Sequence, residues 1–107
     1  ARGIGVSQVV PYPWNDTVPV VRDYQKLAAK PGAYSYYGLE GYLMARTMVE
    51  GLRRAGKDLT REKLVATLEG LNAVDFGGYR INYSPAQRGG SHFVELTVIG
   101  PGGKVLR

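Results

Sequence analysis

The sequence predicts an α/β chain built of one strand, three helices and three further strands, in that order. Three observations predict it. A β-branched run at Ile4, Val6, Val9 and Val10 stops at Pro11. Between residues 17 and 71, three stretches repeat apolar side chains at helical spacing. From residue 79 onward, short alternating or apolar runs are divided by glycine pairs. With 107 residues, 44% hydrophobic and 21% charged, the chain can bury a core and does not have the composition of a disordered segment.

The first strand spans residues 3–10. Tyr12 and Trp14 then alternate with Pro11 and Pro13, and each residue before a proline is pushed out of the helical region, so 11–14 is an extended stretch. A helix starts near 17–19, with Asp16 or Thr17 as cap and Pro19 in the first turn. Its apolar stripe is Val20, Val21, Tyr24, Leu27 and Ala28, and Pro31-Gly32 ends it. The longest helix covers 39–55. Leu39, Tyr42 and Leu43 widen the stripe of Met44, Ala45, Met48, Val49, Leu52 and Ala55, so its first half is apolar nearly all round and expects cover on more than one side. Met44 and Met48 read as core filler. Gly56 is its C-terminal glycine cap. A third helix follows Thr60 as N-cap, with Leu64, Val65, Leu68 and Leu71 as its core face. Residues 72–78 read as a turn, 79–83 and 92–99 as strands, and 104–106 as the return strand of a hairpin through Gly100-Pro-Gly-Gly103.

Composition removes several function classes. There is no Cys, so disulfide frameworks, thiolate metal sites and cysteine nucleophiles are excluded. His92 is the sole histidine and reads as a surface loop residue; no metal and no cofactor is expected. No catalytic constellation is present, and the glycine pairs do not open a helix after a strand as a phosphate loop does. The net charge is +5, but the basic residues are scattered, and Arg53, Arg54 and Lys57 close a helix where cations complement its dipole, so nucleic acid is not an expected partner. No apolar run approaches the roughly 20 residues that cross a bilayer.

The organisation points to a larger assembly. A lone strand, apolar helices and late short strands ask for more sheet than these segments supply. The chain opens Ala1-Arg2-Gly3 without Met, as if inside a strand already under way. The expectation is one fragment over 1–107, with a helical part at 17–71 and a strand part at 79–107.

The succession of residues 3–10, Pro11-Tyr12-Pro13-Trp14, the helix from 18 to 30, the run 37–56, the helix 59–69, Phe76-Gly-Gly-Tyr79, Ser84-Pro85 and the 94–105 hairpin resembles the late part of the type I periplasmic binding proteins. These are the substrate-binding components of branched-chain amino acid ABC transporters. The likeness spans the whole chain and rests on order, not on one short motif. It implies a C-terminal portion of a protein with two Rossmann-like α/β lobes and the ligand in the cleft between them. The implied function is solute binding, not catalysis. The implied ligand is an amino acid or related small molecule, the partner a membrane permease, and the location of the parent periplasmic or extracytoplasmic. By that resemblance Tyr37, just before the long helix, supplies an aromatic wall of the cleft. Tyr12 and Trp14 lie where the cleft floor would be, since pockets are apolar and aromatic-lined. Glu40, read in the first turn of its helix, is a candidate for the ligand ammonium. Each has a structural alternative: the tyrosines at 34, 36 and 37 pack a loop or hinge, Tyr12 and Trp14 staple the crossover, and Glu40 complements the dipole. Two other functions stay open, a ligand-sensing domain of a signalling or regulatory protein with the same fold, and a small basic nucleic-acid module. A fragment of this kind exposes apolar faces and strand edges, so self-association is expected.

Overall fold

A computed structural model describes residues 3–28 and 33–106. Its order is β1 (Gly5–Gln8), α1 (Pro19–Ala28), α2 (Tyr36–Ala55), α3 (Arg61–Glu69), β2 (Val74–Asp75), β3 (Arg80–Ile81), β4 (Glu95–Ile99) and β5 (Val105–Leu106). The expected helix stop at Pro31-Gly32 lies outside the described residues.

The strands form two small antiparallel sheets. One has the order β1-β4-β5, with Gly5 opposite Val98 and Ser7 opposite Leu96. The other pairs β2 with β3, Val74 opposite Ile81. The first strand thus takes an antiparallel partner from the far end of the chain. Its pairing runs on past Gly5, since the Gly3 N–H donates to Ile99 O at 2.7 Å and the Ile99 N–H to Ile4 O at 2.9 Å. The β4–β5 turn needs left-handed backbone at Gly102 and Gly103, with φ of 71° and 76°. Thr97 is buried in β4, and its hydroxyl is satisfied by donating to Val6 O at 3.0 Å.

The core sits under the helices. Val20, Val21 and Tyr24 of α1, Leu39 and Leu43 of α2, Leu71, Phe76, Tyr79 and Ile81 form one buried cluster with Val10. Arg46 fastens three segments around it. Its guanidinium bonds Asp23 of α1 and the Tyr42 hydroxyl, both at 3.1 Å, and lies 4.9 Å from the centre of the Phe76 ring.

Several local expectations need correction. Ahead of α1, where Asp16 or Thr17 was expected as the cap, the Thr17 N–H and hydroxyl both donate to Asn15 Oδ1. α2 begins three residues earlier than its apolar stripe, because Ser35 caps it by accepting from the Gly38 N–H. Residues 74–75, read as turn, are a strand. Asp75 makes that possible: its carboxylate accepts from the Gly77 and Gly78 N–H groups at 2.8 and 2.9 Å and closes the turn into β3. The strand expected over 92–99 is regular only from Glu95.

Two predictions arise here. Thr60 caps α3 by accepting from the Lys63 N–H at 3.1 Å, so Thr60→Ala should lower stability by about 1 kcal/mol in denaturant unfolding. The Gly77 and Gly78 N–H bonds hold the Asp75 carboxyl below the usual aspartate range. A lowered value means that the stabilisation is full above the ordinary aspartate range and is lost as the pH falls through the lowered value. The expected result is that Asp75→Asn flattens the acid limb of a melting-temperature profile measured between neutral pH and strongly acid solution.

Candidate functional site

The site grows from the crossover that follows β1. Val10, Pro11 and Pro13 are buried, and Pro13 O accepts from Gln25 Nε2 at 2.9 Å, which ties the crossover to α1. The alternation of prolines with Tyr12 and Trp14 sends both rings to one neighbourhood. Their centroids are 5.1 Å apart. The first residue of α2, Tyr36, closes a triangle with them, at 6.3 Å from Tyr12 and 6.1 Å from Trp14, in edge-to-face packing.

The start of α2 is held from beneath. The Tyr24 hydroxyl accepts from the Ser35 N–H at 3.1 Å and donates to Ala33 O at 3.5 Å. Tyr24 is itself buried between the rings of Tyr34 and Tyr42. The end of α2 that faces the crossover is therefore set by three independent anchors: the Ser35 cap, the Tyr24 hydroxyl and the aromatic triangle.

The four residues singled out by sequence gather at this end, in different roles. Tyr12 and Trp14 pack together, and Trp14 keeps 41% of its surface exposed. Tyr37 projects away from the triangle and is 87% exposed. Glu40 is exposed on the flank of α2. Because the helix starts at Tyr36, Glu40 lies beyond the first turn, which holds no acidic residue, and the expected dipole role falls away. Tyr36 had no assigned part in the site, yet its ring is the one on Tyr12 and Trp14. Helical rotation of about 100° per residue separates Tyr36 from Tyr37, and only the position of the helix start decides which of them meets the crossover.

Glu40 also lines an open trough of about 550 Å³ along α2. Val9, Leu43, Met44, Met48, Val65 and Ile81 give it an apolar lining. Met44 and Met48, expected as core, are 68% and 44% exposed there. Its lining also includes the Arg88–Glu69 ion pair at 2.6 Å. The chemistry at the start of α2 is that of an aromatic platform with one carboxylate beside it. Such a surface takes an apolar or aromatic group and offsets a positive charge. Among the described residues, no three His, Asp or Glu side chains lie together as a metal site would need, and no helix is long and apolar enough to cross a membrane.

Comparison with known proteins supplies the context. The family described as periplasmic binding protein matches residues 2–104. Three solved structures are similar over nearly the whole chain. A substrate-binding periplasmic protein from Ralstonia solanacearum is 35% identical, with a TM-score of 0.84 over 98% of this chain. An extracellular ligand-binding receptor from Verminephrobacter eiseniae is 36% identical, with a TM-score of 0.79 over 100%. A possible leucine/isoleucine/valine-binding protein from Rhodopirellula baltica is 29% identical, with a TM-score of 0.83 over 99%. The match covers 31%, 31% and 30% of those chains, so this chain spans about three tenths of their length. No curated protein matches it by sequence.

Proposed function

The chain belongs to the periplasmic binding protein family, a family of binders rather than enzymes, and from that premise we propose that it forms one side of the ligand cleft in the solute-binding component of an ABC transporter. The ligand is an amino acid or a related small molecule. The observation that carries the reading is the convergence of the crossover aromatics, Tyr12 and Trp14, on the start of α2, which bears Tyr36, Tyr37 and Glu40.

The parts have distinct tasks. Trp14 and Tyr37 present exposed aromatic surface to the ligand's apolar side. Glu40 stands toward its ammonium group. Tyr12 and Tyr36 hold Trp14 in place. The ligand carboxylate is held by residues beyond these 107. Closure of two lobes around the ligand shifts an open–closed equilibrium, and the closed form docks on a membrane permease outside the cytoplasm. A solved relative described as a possible leucine/isoleucine/valine-binding protein supports the amino-acid version.

Isothermal titration tests it on the two-lobed protein that carries this chain. Branched-chain and aromatic amino acids are the probes. Saturable heat with one of them is the expected result. Absence of heat with all of them contradicts the amino-acid reading.

A further inference from the structure

Asparagine occurs three times in the chain, and two of the three open an Asn-X-Ser/Thr triplet: Asn15-Asp16-Thr17 and Asn82-Tyr83-Ser84. This is the acceptor pattern for N-linked sugar, and a usable copy lies on accessible chain that can leave the fold to enter an enzyme. The two copies sit in opposite settings. The second is pinned into the structure. The Asn82 N–H donates to Gly90 O at 2.7 Å, and Asn82 Oδ1 accepts from the Ala73 N–H. The Tyr83 N–H donates to Leu71 O at 2.7 Å and the Ser84 N–H to Gln87 O at 2.9 Å. Pro85 follows and restricts Ser84 to extended backbone.

The first triplet is bound only to its own surroundings. The Asn15 N–H donates to Tyr12 O at 3.1 Å, and Asn15 Oδ1 accepts from the Thr17 N–H and hydroxyl at 3.1 and 2.7 Å. Among the described residues, no hydrogen bond joins residues 15–17 to a distant element, and none holds Asn15 Nδ2. Asp16 and Thr17 are exposed and Asn15 partly so.

We propose that Asn15 is an acceptor site for N-linked oligosaccharide, with a lipid-linked sugar pyrophosphate as the donor class. The two donors on Oδ1 draw electron density toward the oxygen and make the amide nitrogen easier to deprotonate. That nitrogen attacks the anomeric carbon of the sugar. The C–N bond forms as the C–O bond to pyrophosphate breaks, the nitrogen gives up one proton, and the lipid pyrophosphate leaves. The proposal rests on the extracytoplasmic location inferred above, because sugar transfer to asparagine takes place on that side of a membrane.

The test uses the purified, folded two-lobed protein that carries this chain. It is incubated with a lipid-linked oligosaccharide and an oligosaccharyltransferase that asks only for the three-residue pattern. Peptide mass spectrometry reads each asparagine before and after enzymatic sugar release, which converts an occupied asparagine to aspartate. The expected result is sugar on Asn15 and none on Asn82 in the folded protein, with both occupied once the protein is denatured. Thr17→Ala should abolish the Asn15 product, and Thr17→Ser, which keeps the hydroxyl, should retain it. A folded protein left bare at Asn15 while its denatured form is modified there overturns the proposal. So does modification of Asn15 that survives Thr17→Ala, or sugar on Asn82 in place of Asn15. No step of this experiment involves a solute ligand or a permease, so its failure is distinguishable from failure of the titration that tests function.

Discussion

Gly38→Ala is expected to destabilise the chain by about 2 kcal/mol, the opposite of the gain of about 1 kcal/mol that alanine normally brings to a helix interior. The reason is the crowding under the first turn of α2. A Cβ at Gly38 would overlap the Tyr24 hydroxyl and lie 3.2 Å from the ring carbon that bears it and 3.1 Å from Ser35 Oγ. Tyr24 cannot yield easily. It is buried, its ring is held between Tyr34 and Tyr42, and its hydroxyl joins Ser35 to Ala33. Overpacking of about 1–3 kcal/mol and the loss of hydrogen bonds worth about 1 kcal/mol each outweigh the helix-propensity gain. The melting temperature should fall by about 10 °C. A double-mutant cycle gives the sharper readout. Tyr24→Phe removes the obstructing oxygen, so Gly38→Ala added to Tyr24→Phe should cost far less than it does alone. Additive effects would show that the hydroxyl is not what enforces glycine.

That same corner shows what was legible in the sequence and what was not. The helices were legible as elements, and Val20, Val21 and Tyr24 of α1 and Leu39 and Leu43 of α2 are buried where the pattern places them, whereas no residue of α3 is buried and Val49, Leu52 and Val65 of the expected core faces are exposed. So were the caps at Thr60 and Gly56, which are local chemistry. Strands of two residues carry no period at all, so β2 was hidden among turn residues, and its pairing with β3, Val74 opposite Ile81, discloses it. The site was legible as a neighbourhood. The prolines at 11 and 13 announced an extended crossover, and tyrosines ahead of a helix announced an aromatic end. Which tyrosine faces the crossover was not legible, since it depends on the Ser35 cap starting the helix at Tyr36. Met44 and Met48 looked like core for a sound reason. They belong to an apolar face of α2 that stands exposed.

The isolated chain is expected to self-associate, with a mass by light scattering at least twice 11.7 kDa at high concentration. Its radius of gyration is 16.0 Å, against about 13 Å for a compact domain of this length. Its surface of 7039 Å² exceeds the roughly 5,900 Å² usual for this mass. Part of the excess is apolar sheet. Val94, Leu96 and Val98 are 66%, 73% and 44% exposed, and Leu106, opposite Val98, is 47% exposed. With β1 and β5 as open edges, that face offers both backbone pairing and apolar contact to a second copy. Leu96→Lys combined with Val98→Lys should shift the population toward monomer without unfolding the helical core, which these residues do not join. A clean monomer for the unmodified chain at high concentration would show that these faces do not drive association.

The claim at the centre is that the crossover and the start of α2 form a ligand wall. Affinity of the two-lobed protein for its best amino-acid ligand, measured by titration before and after Trp14→Ala, tests it most directly. Trp14 is the sole tryptophan of the chain, and it combines packing against Tyr12 and Tyr36 with an exposed face. If it lines the cleft, Trp14→Ala should weaken binding by about tenfold or more while the helical circular dichroism is retained. Unchanged affinity in a folded Trp14→Ala variant would show that the aromatic triangle is a structural staple and that the ligand is held elsewhere.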